Sequence, residues 1–159
     1  MRIGIGVDIH RFEPNRSLIL GGVTIPYTQG LAGHSDADVL THAVMDAILG
    51  ALGLGNIGTH FPDTDAQYKN VNSLYLLDQV SALMRDQAYR INNVDATILC
   101  QSPKLNPHIP TMCTTLAKHL DCDSKLVNIK ATTGESLGFI GRKEGVCVQC
   151  VVLLTACDY

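Results

Sequence analysis

The sequence predicts an α+β fold: one mixed β-sheet with helices packed on one face, in a single domain spanning residues 1–159. Three patterns predict it. Residues 2–10 alternate apolar and polar side chains, as a strand does. Stretches near residues 37–51, 72–89 and 109–120 carry apolar side chains at helical spacing. Residues 144–156 form a nearly continuous apolar run, suited to the centre of a sheet. The resulting order is βββ-α-α-β-α-β-β. So small a sheet leaves its second face uncovered, and that face is expected to meet another subunit.

In the first strand Ile3, Ile5, Val7 and Ile9 take one face, and Gly4, Gly6, Asp8 and His10 take the other. The two glycines let another element approach closely. Asp8 and His10 stand about 6.5 Å apart along the strand, so both can reach one metal. Residues 18–27 read as a short strand, a glycine turn and a second extended piece. Gly30 to Ser35 reads as a loop. His34 and Ser35 precede a helix start, which suits an anion, although a serine here more often caps the helix.

The stretch Gly33–Asp46 then enters a helix at Ala37. Val39, Leu40, Ala43, Val44, Ala47, Ile48 and Ala51 make its apolar stripe. Asp38, His42 and Asp46 follow at i, i+4, i+8 as one polar ridge. Such a ridge either faces solvent or finds a metal, a substrate or another partner, since an unpaired buried charge is costly. Gly53, Gly55 and Gly58 match a dinucleotide fingerprint literally. They follow a helix rather than a strand, so the motif lacks the geometry that makes it work.

Asp63 and Asp65 lie in a turn-rich loop that binds something or caps the next helix. Residues 72–89 form an amphipathic helix capped by Asn72, with Leu76, Leu77, Val80, Leu83 and Met84 on its apolar face. Residues 91–101 read as a strand, followed by a proline-rich loop carrying Lys104. Residues 109–120 are the third helix, with His119 at its C-terminal end. Residues 126–133 are a strand. The following loop is rich in glycine, hydroxyls and cations, as a phosphate site would be; Thr132 and Glu135 also have capping-box spacing.

The composition is that of an ordinary globular chain, with 46% hydrophobic and 17% charged residues. A formal net charge of −3 supplies no general field for nucleic acid or membrane surfaces, so a phosphate ligand must be held locally. No stretch is long and apolar enough for a transmembrane helix, and the N-terminus lacks a signal-type apolar region. The expected location is cytoplasmic. Six cysteines are expected to be reduced. Cys147 and Cys150 form a C-x-x-C on a strand, where residues three apart point to opposite faces, so they are expected to be structural.

Together, D-x-H at 8–10, the stretch 33–58, HFPDTD at 60–65, QSPK at 101–104 and KATTGESLGFIGRKEG at 130–145 carry a resemblance. The chain resembles, over its whole length, the 2-C-methyl-D-erythritol 2,4-cyclodiphosphate synthase family of the non-mevalonate isoprenoid pathway. The resemblance implies a lyase acting on CDP-methylerythritol 2-phosphate by intramolecular phosphoryl transfer, releasing CMP. It implies a homotrimer with active sites between subunits and the second sheet face packed around the trimer axis. Asp8, His10 and His42 would bind one zinc ion per site, and Glu135 a magnesium or manganese ion.

His34 and Thr133 match positions that stabilise the transition state. Ser35, Asn56, Ile57, Gly58, Phe61, Asp63 and Asp65 match the substrate side; Asp38 reads as substrate-side or as a first-turn helix acid. Phe139 and Arg142 lie near a central cavity that holds an isoprenoid diphosphate in some relatives. Cys100, Gln101, Ser102, Pro103, Lys104, Leu105, Asn106, Ala131 and Thr132 match the cytidine pocket, with Lys104 near phosphate. A plastid-type compartment is implied instead of the cytoplasm where a transit peptide has been removed.

Asp46, one turn from His42, is expected to orient its imidazole. Asn56 replaces the family's usual aspartate. Gly134 replaces a commoner threonine and is expected to loosen the loop that holds Glu135. Val7 stands where an aromatic is frequent. The competing readings are a zinc-dependent phosphoesterase acting on a nucleotide diphosphate, and a non-catalytic metal- or nucleotide-binding module.

Overall fold

The computed structural model describes residues 1–157; the predicted domain extends two residues beyond these. The first strand, β1 (Arg2–Pro14), is longer than its alternation suggested. A hairpin follows, β2 (Leu18–Leu20) and β3 (Val23–Ile25), turning at Gly21 and Gly22, both with positive φ. The stretch read as a loop contains a short strand, β4 (Gln29–Leu31), which pairs with the C-terminal end of β1. Three residues are too few to show a period, so pairing rather than pattern defines this strand.

Helix α1 (Val39–Leu52) starts two residues later than the expected entry at Ala37, at the first residue of its apolar stripe. Ala37 is left-handed at φ 58°, and Asp38 rather than Ser35 caps the helix by accepting from Thr41 N. Twelve of its residues are buried, and the helix ends at left-handed Gly53. Gly53 is thus a helix stop, and Gly58 lies inside the short helix α2 (Ile57–His60), so neither belongs to a dinucleotide loop. Helix α3 (Ser73–Asp86) is capped by Asn72 and buries Leu76, Leu77, Val80 and Met84.

Strand β5 (Tyr89–Leu99), helix α4 (Ile109–His119) and strand β6 (Val127–Thr132) follow. His119 Nδ1 lies 2.7 Å from Asp78 Oδ1, joining α4 to α3. No capping box forms at Thr132. Glu135 and Ser136 are left-handed, and the one-turn helix α5 (Gly138–Gly141) begins only after them. Strand β7 (Gly145–Ala156) is the last element among the described residues.

The five-stranded sheet has the order β4-β1-β7-β5-β6. It is mixed: β5 and β6 are parallel, and the other pairs are antiparallel. The apolar run of β7 sits at the centre, as expected. Val148, Cys150, Val152 and Leu154 of β7 are fully buried on one face. Cys147, three residues from Cys150, belongs to the opposite face, and all six cysteines are free. Burial pushes the Cys150 thiol up to about 12, which suits a small core side chain rather than a metal ligand or redox group.

The glycines of β1 set the distance to α1. A Cβ on Gly4 would lie 2.0 Å from Ala47 O, and one on Gly6 would lie 2.0 Å from Ala43 O. Only hydrogen fits at either position, so strand and helix meet backbone to backbone. The other face of β1 is bare: Ile3 is 71% exposed, Ile5 64%, Val7 49% and Ile9 54%. No helix among the described residues is long and apolar enough to cross a membrane.

Candidate active site

Because Gly4 and Gly6 seat α1 against β1, the next two residues on that face of the strand reach the helix as well. Asp8 Oδ2 lies 2.9 Å from His10 Nε2 and 3.1 Å from His42 Nδ1. One ligand atom from each residue falls within 4.8 Å of the others, so the three can hold a metal ion. Two imidazoles and one carboxylate form a donor set that suits zinc and leaves a fourth tetrahedral position for another group. His10 is oriented from behind: Nδ1 lies 2.6 Å from the Ala32 carbonyl. A carbonyl only accepts, so Nδ1 carries the proton and Nε2 keeps its lone pair for the shared centre.

Burial pushes the Asp8 carboxyl up, but hydrogen bonds and positive charge from His10 and His42 outweigh it. The carboxyl is held far below the usual carboxylate range. Burial likewise pushes His10 down, and the hydrogen bond and charge of Asp8 more than reverse this. The cluster is a polar centre that favours ionised carboxylate facing imidazole.

The centre opens into a cavity of about 250 Å³. Of the residues predicted for the substrate side, Ser35, Ile57, Gly58, Phe61 and Asp63 line it, as does His34. His34 Nε2 is buried without a hydrogen-bond partner, an orphaned polar atom in a cleft wall. Tyr68, Val71 and Leu76 line it too and escaped the sequence reading. Leu76 was visible only as a member of a helix stripe, and nothing in the sequence marks Tyr68.

Two members of the α1 ridge behave differently from expectation. Asp38 does not face the cavity. It is fully buried, and its carboxylate accepts from Gly21 N at 2.9 Å, Gly22 N at 2.7 Å, Thr41 N at 3.0 Å and Thr41 Oγ1 at 2.8 Å. It ties the β2–β3 turn to the start of α1, leaving no oxygen free for substrate. Burial raises its pKa despite these donors. Asp46 does not orient His42: its Oδ1 accepts from Ile57 N at 2.7 Å, fixing the loop that enters α2. Burial raises the Asp46 pKa as well.

A second cavity, about 370 Å³, lies at the C-terminal ends of the parallel strands β5 and β6. Open α/β layers commonly place ligands at such ends. Cys100, Gln101, Pro103, Lys104, Leu105, Asn106, Ala131 and Thr132 line it, joined by Pro107 and Thr133. Ser102 does not; its carbonyl accepts from the Cys100 thiol at 3.1 Å. Thr133 Oγ1 donates to Glu135 Oε1 at 2.9 Å, and Ser136 N donates to Gln101 Oε1 at 3.3 Å, so the Glu135 loop is tethered beside this cavity.

Gly134 does not loosen that loop. A Cβ there would lie 3.0 Å from both Gly141 N and Leu137 O, so the glycine lets α5 fold tightly down on it.

The two cavities share no lining residue. Besides Asp38, Ser102 and Glu135, four further predicted residues lie outside both. Asn56 caps α2 by accepting from Thr59 N, and Asp65 caps the turn at 66–68. Arg142 pairs with Glu144 at 2.7 Å, and Phe139 is partly exposed on α5.

An α+β domain, built on one five-stranded mixed sheet with a small separate hairpin, that converges two histidines and a carboxylate on the wall of a cleft defines a candidate metal-centre protein. The YgbB family profile matches residues 1–155, and the chain belongs to that family. The 2-C-methyl-D-erythritol 2,4-cyclodiphosphate synthase of Clostridium perfringens is 56% identical over 154 residues, covering 97% of this chain and 99% of that one. The enzyme of the same name from Geotalea uraniireducens is 58% identical over 154 residues, covering 97% and 98%.

Among solved structures, the bifunctional IspDF from Campylobacter jejuni superposes with a TM-score of 0.95 at 48% identity. The match covers 99% of this chain but only 42% of that longer one. The IspF of Plasmodium falciparum, solved as a CDP complex, gives a TM-score of 0.88 at 34% identity over 99% of this chain and 97% of its own.

Proposed function

We propose that the chain converts 4-diphosphocytidyl-2-C-methyl-D-erythritol 2-phosphate to 2-C-methyl-D-erythritol 2,4-cyclodiphosphate and CMP. The observation that carries this reading is the Asp8–His10–His42 centre opening into the cleft lined by His34, Ser35 and Asp63. The name its relatives carry, cyclodiphosphate synthase, supports the cyclic diphosphate as the product. When bound, zinc at Asp8, His10 and His42 and magnesium or manganese at Glu135 would draw charge from the diphosphate as the β-phosphorus is attacked.

The chain's own residues bind and fold the substrate. Ser35, Ile57, Gly58, Phe61 and Asp63 hold the methylerythritol phosphate. The cavity at the ends of β5 and β6 takes the cytidine, in keeping with the CDP complex of the Plasmodium relative. Lys104 meets the phosphate beside it. A phosphate oxygen seated in the cleft satisfies the orphaned His34 Nε2, and Thr133 supplies a hydroxyl on the opposite side.

An oxygen of the substrate's 2-phosphate attacks the β-phosphorus. The bond from that phosphorus to the bridging oxygen breaks, and CMP leaves with the oxygen. Nucleophile and electrophile belong to one molecule, so holding them within reach supplies much of the rate. No protein nucleophile takes part.

The active protein is a homotrimer in this reading. The cleft and the cytidine cavity share no residue within one chain, and the bare face of β1 offers the contact that would bring a neighbour's cavity to the cleft. The test is CMP release from the purified protein supplied with substrate, zinc and magnesium. The expected result is turnover that falls by about a thousandfold or more in His42→Ala. Equal turnover in that variant would overturn the metal-centred account.

A further inference from the structure

His42 presents only Nδ1 to Asp8. Its Nε2 points the other way, 2.9 Å from Ser73 Oγ and 3.2 Å from Ser35 Oγ. Ser73 is fully buried at the first position of α3. Its hydroxyl donates a short hydrogen bond to Asp36 Oδ1, and its backbone N–H donates to Asp36 Oδ2 at 3.0 Å. A carboxylate accepts and does not donate, so the Ser73 proton points at Asp36. That leaves Ser73 Oγ as an acceptor toward His42. The His42 proton therefore belongs on Nε2, and the lone pair on Nδ1 faces Asp8 and His10.

Ser35 Oγ is the farther neighbour and already accepts from Ala37 N at 3.2 Å. The single Nε2–H goes to the nearer oxygen, whose acceptor strength the carboxylate increases. The arrangement parallels His10, where the Ala32 carbonyl does the same work with one group. Asp36 is itself held in place by Asp38 N at 3.2 Å, and its own N–H donates to Val71 O at 3.1 Å.

We propose that Asp36 and Ser73 are positioning residues: a carboxylate–hydroxyl–imidazole relay that locks His42 in its metal-binding tautomer and strengthens Nδ1 as a ligand. The proposal rests on reading Asp8, His10 and His42 as the metal site. Outer partners of this kind typically change metal affinity by about 10–100-fold.

The experiment is zinc affinity measured by chelator competition for the unmodified protein, His42→Ala, Ser73→Ala and Ser73→Thr. The expected result is strong binding by the unmodified protein and its loss in His42→Ala. Ser73→Ala should bind about 10–100-fold more weakly, with recovery in Ser73→Thr, which keeps the hydroxyl. Unchanged affinity in Ser73→Ala, beside a loss in His42→Ala, overturns the relay and leaves the metal site standing. Unchanged affinity in His42→Ala overturns both.

Imidazole NMR of the unmodified zinc-loaded protein reads the relay without any variant that must fold. A protected, downfield proton on His42 Nε2 is expected. A proton on Nδ1, or a rapidly exchanging Nε2 proton, contradicts the relay.

Discussion

At Asp8 and His10, burial works against each ion alone and their pairing works for both. Without metal, His10 holds its proton above the ordinary imidazole range, because the Asp8 hydrogen bond and charge outweigh burial. The His10 contribution to folding is therefore complete below the unfolded imidazole value of about 6.5 and is lost as pH rises through the higher folded value. Asp8 is the mirror case: its contribution is present above the unfolded carboxyl value of about 3.9 and is lost as pH falls toward the lower folded value.

Zinc must displace the His10 proton, so zinc affinity should rise by about tenfold per pH unit until that folded value is passed. Chelator competition between about pH 6 and pH 8 checks this; affinity flat over that window would contradict it. Asp8 and His10 were legible as a pair from period-two geometry, and the Asp38–His42–Asp46 ridge from period-3.6 geometry. The choice of His42 from that ridge came from the family resemblance. The roles of Asp38 and Asp46 were not legible. Their partners are backbone N–H groups of Gly21, Gly22 and Ile57, and no side-chain pattern announces those.

Between β1 and α1 the controlling residues are glycines. Gly6→Ala would place a methyl 2.0 Å from Ala43 O and 2.8 Å from Ala47 N. The helix must retreat, at an expected cost of about 3 kcal/mol or more, since backbone cannot repack as a side chain does. The same retreat moves His42 away from Asp8 and His10. Gly6→Ala should therefore lower the thermal midpoint and weaken zinc binding together. A variant with its midpoint unchanged and zinc affinity intact would show that the glycines do not set the spacing.

The element order was readable from periodicity, because long stripes and long alternations report burial directly. Strand β4 was not readable, since pairing to β1 alone defines it. The tight turn over Gly134 was hidden for a similar reason: which neighbours approach a glycine is settled by the fold, not by the residue.

Over the whole molecule, one sheet face is covered by helices and the other carries four exposed apolar side chains from β1. Contiguous apolar patches of that kind mark association surfaces. In the proposed trimer that face is covered, and the active site is completed across a subunit boundary. Ile5→Glu leaves the monomer's core untouched, because Ile5 is outside it. It should shift sedimentation from trimer to monomer and reduce CMP release by about a hundredfold or more, since a buried unpaired charge at an interface costs several kcal/mol. A monomer with full turnover would place the whole site within one chain. The sequence pointed to this face through the alternation of β1, but the separation of the two cavities becomes visible only when β5, β6 and the loop at 57–71 are folded.

The central claim concerns which bond the protein makes, and phosphorus NMR of the products reads it directly. Incubation of the protein with zinc, magnesium and CDP-methylerythritol 2-phosphate should yield CMP and one product with two mutually coupled phosphorus resonances, the signature of a cyclic diphosphate. CMP accompanied by two uncoupled phosphate resonances would mean that water, not the 2-phosphate, attacks the β-phosphorus, and would contradict the account.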